Sequence, residues 1–455
     1  MTKDMFQRLG FAINEKKSVY EPTQRLTMLG FVLDSVSMTI RPTKEKSEKI
    51  VSLCQTKLAE QMCTIRDLAR LIGNIVATFA GVQYGPLHYR EMEKLKTKEL
   101  KWHRGNFDRM IELTEQVYRE LNWWVTNIKT AERCIDHGHP SAKLRTDASM
   151  SGWGAVLKGV STGGRWTQVE ATEHINCLEM QAALFGLKSL CDDMHNCHLR
   201  IEVDNSTAVC YINSMGGTVS RKCNELAREI WTWCTDRHIW LSACHIAGVK
   251  NIEADKASRV FNDRTEWRLD PKALLDATVV LKVTPNIDLF ATRLNRQLSQ
   301  YVSWQPDPEA AHIDAFRLNW AETDNYLFPP FSLINRCVQK LTFDQARALI
   351  VVPVWPNQCW FTPLMRLLVD HPRVLPVNCL SLPEGTHAKL PPKVRLIACH
   401  ISGKNCENKA FRQGLPILSW HHGKQALKSS TTQSLVNGMP FAVGNNWITL
   451  RRLYH

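Results

Sequence analysis

Four acidic residues in the middle of the sequence occupy positions where a carboxylate is unusual. Asp147 interrupts the strand-like stretch LRTDASMSGWGAVL with no cation beside it. Glu179 lies one position round from the apolar stripe of a helical stretch. Asp204 ends the strand-like stretch LRIEVD, and Asp255 falls in a helical stretch that follows a glycine-bearing loop. A buried carboxylate is costly unless hydrogen bonds or a metal ion compensate it.

Divalent metal binding is the chemistry that would gather such a set. Functional sites of α/β sheets form at strand ends, and each of these acids is predicted at a strand end or on a helix that would pack near one. Converging carboxylates repel one another and favour a hard cation between them. Two such ions can activate a water and stabilise the leaving oxygen of a phosphodiester. Taken singly, Asp204 can instead cap a helix, Glu179 can be a half-buried surface residue, and Asp255 can pair with Arg259.

The elements that must carry these acids follow from the residue patterns. Residues 143–262 predict strand, strand, helix, strand, helix, helix, short strand and helix. Residues 9–40 predict short strands, and helices follow from Thr43 onwards. In one of these helices Thr64 and Asp67 resemble a capping box. The apolar face of that helix consists of Ile65, Leu68, Leu71, Ile72 and Ile75.

Composition restricts the class of protein and its partners. The 455 residues are 44% hydrophobic and 22% charged, as in globular proteins of several domains. The sequence has no apolar run long enough to span a membrane, no signal-peptide pattern and no CxxC pair. We therefore expect an intracellular protein of the cytoplasm or nucleus, not secreted, without a membrane partner. The net charge of +13 favours a polyanion such as nucleic acid, although it also serves solubility.

In their order along the chain, the four acids resemble the active site of type 1 ribonuclease H. TDASMSGWGAVL is similar to the first strand and hairpin of that family, and LEMQAAL to its E-x-x-A helix. VDNSTAV is similar to its third-strand aspartate turn, and H-x5-N-x-E-A-D to its closing loop and helix. His245 stands ten positions before Asp255, as the mobile-loop histidine does in retroviral-type enzymes.

This resemblance implies a fold, a cofactor and an activity. The fold is an RNase H-like mixed five-stranded sheet with helices, within an α/β multidomain protein. The cofactor is a pair of Mg²⁺ ions, or Mn²⁺. Asp147 would bridge both ions, Asp255 would help to hold the water-activating ion, and Glu179 and Asp204 would hold the leaving-group ion. His245 would assist proton transfer or product release. The activity would be cleavage of the RNA strand of an RNA–DNA hybrid, distinguished by its 2′-hydroxyl groups.

The N-terminal region resembles the end of a reverse transcriptase palm. Asn14, Lys17 and Ser18 match a late palm motif, and the LGF that begins at Leu29 matches the primer-grip hairpin. We therefore expect the palm end at residues 1–40, a mainly helical thumb and connection at 41–135, and the RNase H domain at 140–262. The paired aspartates of a polymerase site are not in the sequence, so we expect no polymerase activity from this chain by itself. The remaining palm and fingers would be a partner, and no oligomeric state is predicted.

A basic stretch, KLKTKELKWHR, provides candidate phosphate contacts. A charge run of this kind can be a solvated helix face or a nucleic-acid-binding face with an interleaved aromatic residue. Asn205, where Ser is common in the family, would add a contact beside Asp204. The candidate nucleic-acid-binding residues are Lys94, Lys96, Lys98, Lys101, Trp102, Arg104 and Asn205.

Residues 282–400 resemble the phage-type adenine-methyltransferase-like region that follows RNase H in DIRS-like retrotransposons. The stretches DLFATRLNRQLSQYVSWQPD and DNYLFPPFSLI carry the likeness. Pro329, Pro330 and Phe331 match its D/N-P-P-Y/F motif, but Phe328 occupies the position of the hydrogen-bond acceptor. A glycine-rich loop for S-adenosylmethionine is not evident, so neither that cofactor nor methyl transfer is expected. Residues 401–455 are expected to be a poorly ordered tail.

The resulting hypothesis is a fragment of a DIRS-like retrotransposon polyprotein with ribonuclease H activity. One alternative is a non-enzymatic, nucleic-acid-binding remnant of such a polyprotein. Another is a DNA-modifying protein of the integrase or adenine methyltransferase kind. The order of the carboxylates favours the ribonuclease, because fold alone does not decide function.

Overall fold

The protein is an α/β multidomain chain with a mixed sheet, as predicted. The computed structural model describes residues 2–14, 18–261, 266–382, 394–415, 440–443 and 446–453. Lys17 of the palm-like motif lies outside these residues. The chain divides into two compact units. The first comprises Met1–Ala142, His195–Arg200 and Ser206–Cys244, and the second comprises Lys143–Met194, Ile201–Asn205 and His245–His455.

The N-terminal region is mainly helical after its first strands. Its helices are α1 Thr2–Arg8, α2 Lys44–Ala59, α3 Ile65–Val76, α4 Arg90–Trp102 and α5 Glu115–Asn127. Its strands are β1 Arg25–Met28, β2 Phe31–Asp34, β3 Thr39–Pro42, β4 Met62–Thr64, β5 Met110–Glu112 and β6 Arg133–Cys134. One sheet has the order β1-β2-β3-β6, and β4 pairs with β5.

The cap and apolar face predicted for α3 are confirmed. Thr64 Oγ1 accepts a hydrogen bond from the backbone N–H of Asp67 at 3.0 Å and donates to Asp67 Oδ2 at 2.8 Å. All five residues of the predicted apolar face are buried. The local sequence therefore determines both the start of this helix and the side that packs into the helical core.

The central region contains the predicted five-stranded sheet. Its strands are β7 Ala142–Ala148, β8 Gly152–Leu157, β9 Val160–Arg165, β10 His198–Val203 and β11 Trp240–His245. Its helices are α6 Ile175–Leu190, α7 Ser206–Asn213, α8 Arg221–Thr235 and α9 Ile252–Arg259. The strand order is β11-β10-β7-β8-β9, and β7, β8 and β9 form an antiparallel meander.

The predicted order of elements lacked strand β9. It gave two strands before the first helix of this region, where the structure has three. VSTGGR has two glycines and no apolar alternation, and most of its residues are exposed or half-buried. It is nevertheless a strand because it pairs with β8 along its whole length, from Gly152 with Arg165 to Leu157 with Val160. Tertiary pairing overrides weak strand propensity here.

The C-terminal region is a second region of mixed α/β structure. Its helices are α10 Pro271–Leu281, α11 Ile334–Asp344, α12 Phe361–Arg366 and α13 Asn405–Gln413. Its strands are β12 Arg268–Leu269, β13 Ile287–Asp288, β14 Gln300–Ser303, β15 His312–Ile313, β16 Asn325–Leu327, β17 Arg347–Pro353, β18 Arg373–Val374, β19 Leu380–Ser381, β20 Leu396–Ser402, β21 Pro440–Val443, β22 Asn446–Thr449 and β23 Arg451–Arg452. The main sheet has the order β15-β14-β13-β16-β17-β20-β18-β23, with parallel pairing from β15 to β17.

The expectation of a poorly ordered tail at 401–455 is wrong for the described residues. Helix α13 occupies part of this segment, and β23 extends the main sheet by pairing with β18. Ile448 and Leu450 are buried in the apolar core of that sheet. These apolar side chains are too few to stand out in a polar sequence, and residues 416–439 lie outside the described part of the chain. None of the helices that the structure describes is long and apolar enough to cross a membrane.

Candidate active site

Asp147 lies in the middle of the five-stranded sheet and is 3% exposed. It stands near the end of β7, opposite Gly154 of β8. A side chain at Gly154 would collide with the backbone of Ala254 and Ser258, so this glycine lets α9 lie directly against the sheet. The strand and the helix together enclose the carboxylate.

Glu179 and Asp204 approach Asp147 from a helix and a neighbouring strand. Glu179 lies in the second turn of α6 and is 4% exposed, more deeply buried than its pattern predicts. Asp204 directly follows β10, the strand beside β7, and is the most accessible of the three. One oxygen from each of the three carboxylates lies within 4.8 Å of the others.

The pKa values of the two most buried acids in this cluster are raised because the carboxylates are buried and close to one another. Burial, together with the negative charges of Asp147 and Asp204, raises the pKa of Glu179 to about 9. Burial also raises the pKa of Asp147, and the neighbouring charges of Asp204 and Asp255 add to this effect, against the hydrogen bond from Ser258. Without a cation, the site therefore disfavours the charged form of its two most buried acids.

The donor set fits a hard divalent cation. All three groups offer carboxylate oxygens, the ligands that Mg²⁺ and Mn²⁺ prefer. Glu179 Oε2 is buried and has no hydrogen-bond partner among the described residues. Buried polar atoms in folded proteins are almost always bonded, so an atom left over in such a cluster points to a ligand. A bound cation would satisfy this oxygen and offset the mutual repulsion.

The fourth predicted acid, Asp255, does not join this group. Its Oδ1 accepts a hydrogen bond from Arg259 Nε at 2.7 Å, so the helical ion pair that the sequence also allowed is present. Asp255 nevertheless lies close enough for its charge to raise the pKa of Asp147. The structure thus brings three of the four acids together and leaves the fourth beside them, paired with an arginine.

His245 and Asn205 lie next to Asp204. His245 ends β11, is exposed, and places Nε2 3.1 Å from the backbone oxygen of Asp204. Asn205 Nδ2 donates to Asn176 Oδ1 at 2.9 Å and thereby links the end of β10 to the start of α6. Both residues are at the accessible rim of the acidic cluster.

Two polar residues of the α9 region contribute to the site although their pattern did not single them out. Ser258 Oγ donates to Asp147 Oδ2 at 2.6 Å. Asn251 is 1% exposed, and its Nδ2 donates to the backbone oxygen of Thr146 at 2.9 Å. Asn251 belongs to the closing-loop motif of the sequence, so its contribution to the site could have been predicted. Nothing in the sequence distinguishes Ser258 in this way.

The basic stretch forms the second half of α4 and the turn that follows, but much of its charge is locally paired. Acids on the same helix lie within 4 Å of three lysines: Lys94 with Glu91 at 3.3 Å, Lys96 with Glu93 at 2.6 Å and Lys98 with Glu99 at 3.6 Å. Lys101 and Arg104 have no acidic partner within the described part of the chain. Trp102, between them, is 79% exposed.

The methyltransferase-like motif lies at the end of β16. Phe328, Pro329 and Pro330 line a pocket of about 380 Å³, together with Phe290, Phe316 and Trp304. Phe331 begins a short 3-10 helix beyond them. Asp288 is buried and accepts hydrogen bonds from the backbone N–H groups of Phe290 and Gln297, and burial raises its pKa to about 7.

Comparisons with known proteins find similarity only among solved structures. No protein-family model and no curated protein matches the sequence. The RNase H1 of the halophilic archaeon Halobacterium salinarum NRC-1 is 15% identical over 26% of this chain and 94% of that chain, with a TM-score of 0.22. LC11-RNase H1, in complex with an RNA/DNA hybrid, is 19% identical over 26% of this chain and 93% of that chain, with a TM-score of 0.22.

A foamy viral protease-reverse transcriptase in complex with an RNA/DNA hybrid is also similar. It is 14% identical over 49% of this chain and 29% of that chain, with a TM-score of 0.23. TM-scores this low lend no weight to a functional assignment. The function must therefore follow from the geometry of the acidic cluster.

Proposed function

We propose that this chain is a ribonuclease H that hydrolyses the RNA strand of RNA–DNA hybrids with two divalent cations. One observation carries the proposal: three carboxylates from β7, α6 and the end of β10 converge within 4.8 Å, and Glu179 Oε2 has no partner among the described residues. The order of these acids along the chain is the order of the RNase H family that the sequence resembles. The flanking regions would belong to a DIRS-like retroelement polyprotein.

The residues of this chain would divide the work between them. Asp147, deepest in the sheet, would contact both ions, and Glu179 and Asp204 would complete one of the two positions. Asp255 would serve the other position once it leaves Arg259. The ions, when bound, would supply an activated water and stabilise the leaving oxygen. His245 lies at the accessible rim, where a proton can be passed to solvent.

The decisive experiment is Asp147→Asn with a labelled RNA–DNA hybrid in Mg²⁺. The substitution removes the charge with almost no change in volume, so we expect cleavage to fall at least 100-fold while the fold is kept. Asp193→Asn, at an exposed position after α6, is the matched control and should cleave like the wild type. Circular dichroism reports folding. Cleavage of the hybrid by folded Asp147→Asn at the wild-type rate would refute the assignment.

The same assay separates the alternative functions. Pairing of Asp255 with Arg259 is the one observation that favours a non-enzymatic, nucleic-acid-binding remnant. Such a remnant would bind the hybrid with and without Mg²⁺ and cleave nothing. A DNA-modifying protein of the integrase kind would cut duplex DNA in parallel reactions, and one of the adenine methyltransferase kind would transfer a labelled methyl group to it. The proposed ribonuclease requires the 2′-hydroxyl groups of an RNA strand.

A further inference from the structure

We infer that Ser258 is a positioning residue that holds Asp147 and the helix carrying Asp255 in the arrangement that metal binding requires. The inference rests on the proposed function. Ser258 lies in the last turn of α9 and is 0% exposed. Its hydroxyl donates to Asp147 Oδ2 at 2.6 Å and lies 2.8 Å from the backbone oxygen of Asp255. One side chain thus contacts the carboxylate of Asp147 and the backbone of the residue that carries the fourth acid.

The hydroxyl fixes the orientation of the Asp147 carboxylate. A serine has one proton to donate, and a charged carboxylate is a stronger acceptor than a backbone carbonyl. Within the described part of the chain, no donor contacts the other oxygen, Oδ1. The bond from Ser258 therefore holds one oxygen and leaves the other available to a ligand.

Ser258 is also part of the attachment of α9 to the sheet. At the start of the helix, Asn251 Nδ2 donates to the backbone oxygen of Thr146. At its end, Ser149 Oγ donates to the backbone oxygen of Ser258 at 2.6 Å. Asp255 lies between these attachments, so they determine where its carboxylate stands relative to Asp147.

The serine at this position connects α9 to a group outside the helix. Serine is a weaker helix former than alanine, and a fully buried hydroxyl is unfavourable unless it is bonded. Besides the Asp255 backbone oxygen at 2.8 Å, the hydroxyl has a shorter contact, 2.6 Å, to Oδ2 of Asp147, the most buried acid of the cluster. Groups that orient a metal-binding carboxylate typically change metal affinity or activity by about 10–100-fold when removed.

The test uses the full chain with Ser258→Ala and Ser258→Cys. The alanine deletes the bond, whereas the slightly larger cysteine leaves no cavity and weakens the bond because a thiol is a weak donor. Two readouts are needed: Mn²⁺ affinity without nucleic acid, by electron paramagnetic resonance, and kcat and KM for hybrid cleavage in Mg²⁺. We expect about 10–100-fold weaker Mn²⁺ binding and a similar fall in kcat, with the KM for the hybrid unchanged.

The matched control is Ser189→Ala. Ser189 is a buried helical serine of α6 whose Oγ has no partner among the described residues, so its removal should leave both readouts unchanged. Wild-type Mn²⁺ affinity and kcat in either folded Ser258 variant would overturn the inference while the proposed ribonuclease function stands. If the wild-type chain neither binds Mn²⁺ nor cleaves the hybrid, the proposed function and the inference fall together.

Discussion

At the scale of single residues, Glu179 stands where a free negative charge is least stable. It is 4% exposed, lies beside two other acids, and has an oxygen without a partner within the described residues. No cation of the chain pairs with it in the described structure. Its position is therefore unfavourable for folding and becomes favourable only with a ligand, a trade-off that active sites often show.

Glu179→Gln should make the metal-free protein more stable at pH 8. The folded-state pKa of Glu179 is about 9, against an ordinary value of 4.5. Between these values the unfolded chain has lost the proton and the folded chain retains it, so the free energy of unfolding falls as pH rises from 4.5 to about 9. At 1.36 kcal/mol per unit, the loss at pH 8 is on the order of 3–5 kcal/mol, and a neutral glutamine avoids it.

Thermal unfolding in a chelating buffer measures this effect. We expect Glu179→Gln to have a higher Tm than the wild type at pH 8 and a similar Tm at pH 5. Added Mg²⁺ should stabilise the wild type more than the variant, because the variant has lost one of the carboxylate ligands. Glu229→Gln, at an exposed position on α8, is the control and should change neither value. Equal Tm values of Glu179→Gln and wild type at pH 8 would contradict the argument.

The sequence predicts the acids of this site better than the groups that support them. Asp147, Glu179 and Asp204 each stand at an unusual place in a recognisable strand or helix pattern, and the order of the elements predicts that they lie near strand ends. Ser258 is one of several polar residues in a short helix, and only the packing of α9 against β8 brings it to Asp147. The sequence position of Asp255 is equally compatible with an ion pair to Arg259 and with a place in the acidic cluster. Only the structure shows that the ion pair forms.

At the scale of elements, β9 depends on the loop that packs on it. The side chain of Arg293, from the loop after β13, is 8% exposed and donates to both Glu170 oxygens at 2.8 and 3.0 Å. It also donates to the backbone oxygen of Arg165, the last residue of β9, at 2.9 Å. Gln305 Nε2 donates to the backbone oxygen of Gly163 in the same strand. An exposed edge strand with little strand propensity is thereby covered.

Arg293→Ala should destabilise the protein by about 2–4 kcal/mol, because it removes the cation beside the Glu170 carboxylate and a donor to a strand carbonyl. Among the described residues, the Glu170 carboxylate would keep only the hydrogen bond from the backbone N–H of Thr167, at 2.7 Å. Arg296→Ala is the matched control from the same loop. Its ion pair with Glu309 is more exposed, with about a third of each side chain accessible, so its removal should change stability by less than about 1 kcal/mol. Urea unfolding compares the two variants. Equal midpoints would show that the Arg293 contacts contribute nothing to the stability of β9.

Helices and strands with strong local sequence signals were predicted correctly. Strands that form only by pairing with a neighbouring strand were missed. The cap at Thr64 and the apolar face after it define α3 without tertiary information. Strand β9 and the terminal strand β23 have no comparable local signal and form because a neighbouring strand is already in place. Such elements cannot be derived from one sequence by periodicity alone.

At the scale of the whole molecule, the net charge of +13 creates a field that attracts polyanions. Local structure decides which cations are available for direct contact. On α4 three of the lysines already have acidic neighbours, whereas Lys101 and Arg104 flank an exposed Trp102 without such partners in the described chain. The end of α4, with its exposed aromatic ring, is therefore the better candidate for phosphate contact and base stacking.

Hybrid binding should consequently depend on Lys101 and Arg104 more than on the paired lysines. Removing a cation that binds one phosphate should flatten the slope of log affinity against log salt by roughly 0.9, so replacing both residues by glutamine should flatten it by about 1.8. Lys94→Gln with Lys96→Gln is the matched pair and should flatten it less, because each lysine already has a carboxylate neighbour. Fluorescence anisotropy with a labelled hybrid and the Asp147→Asn chain, between 50 and about 200 mM salt, measures binding without cleavage. An unchanged slope in the Lys101 and Arg104 variant would mean that this end of α4 is only a solvated face.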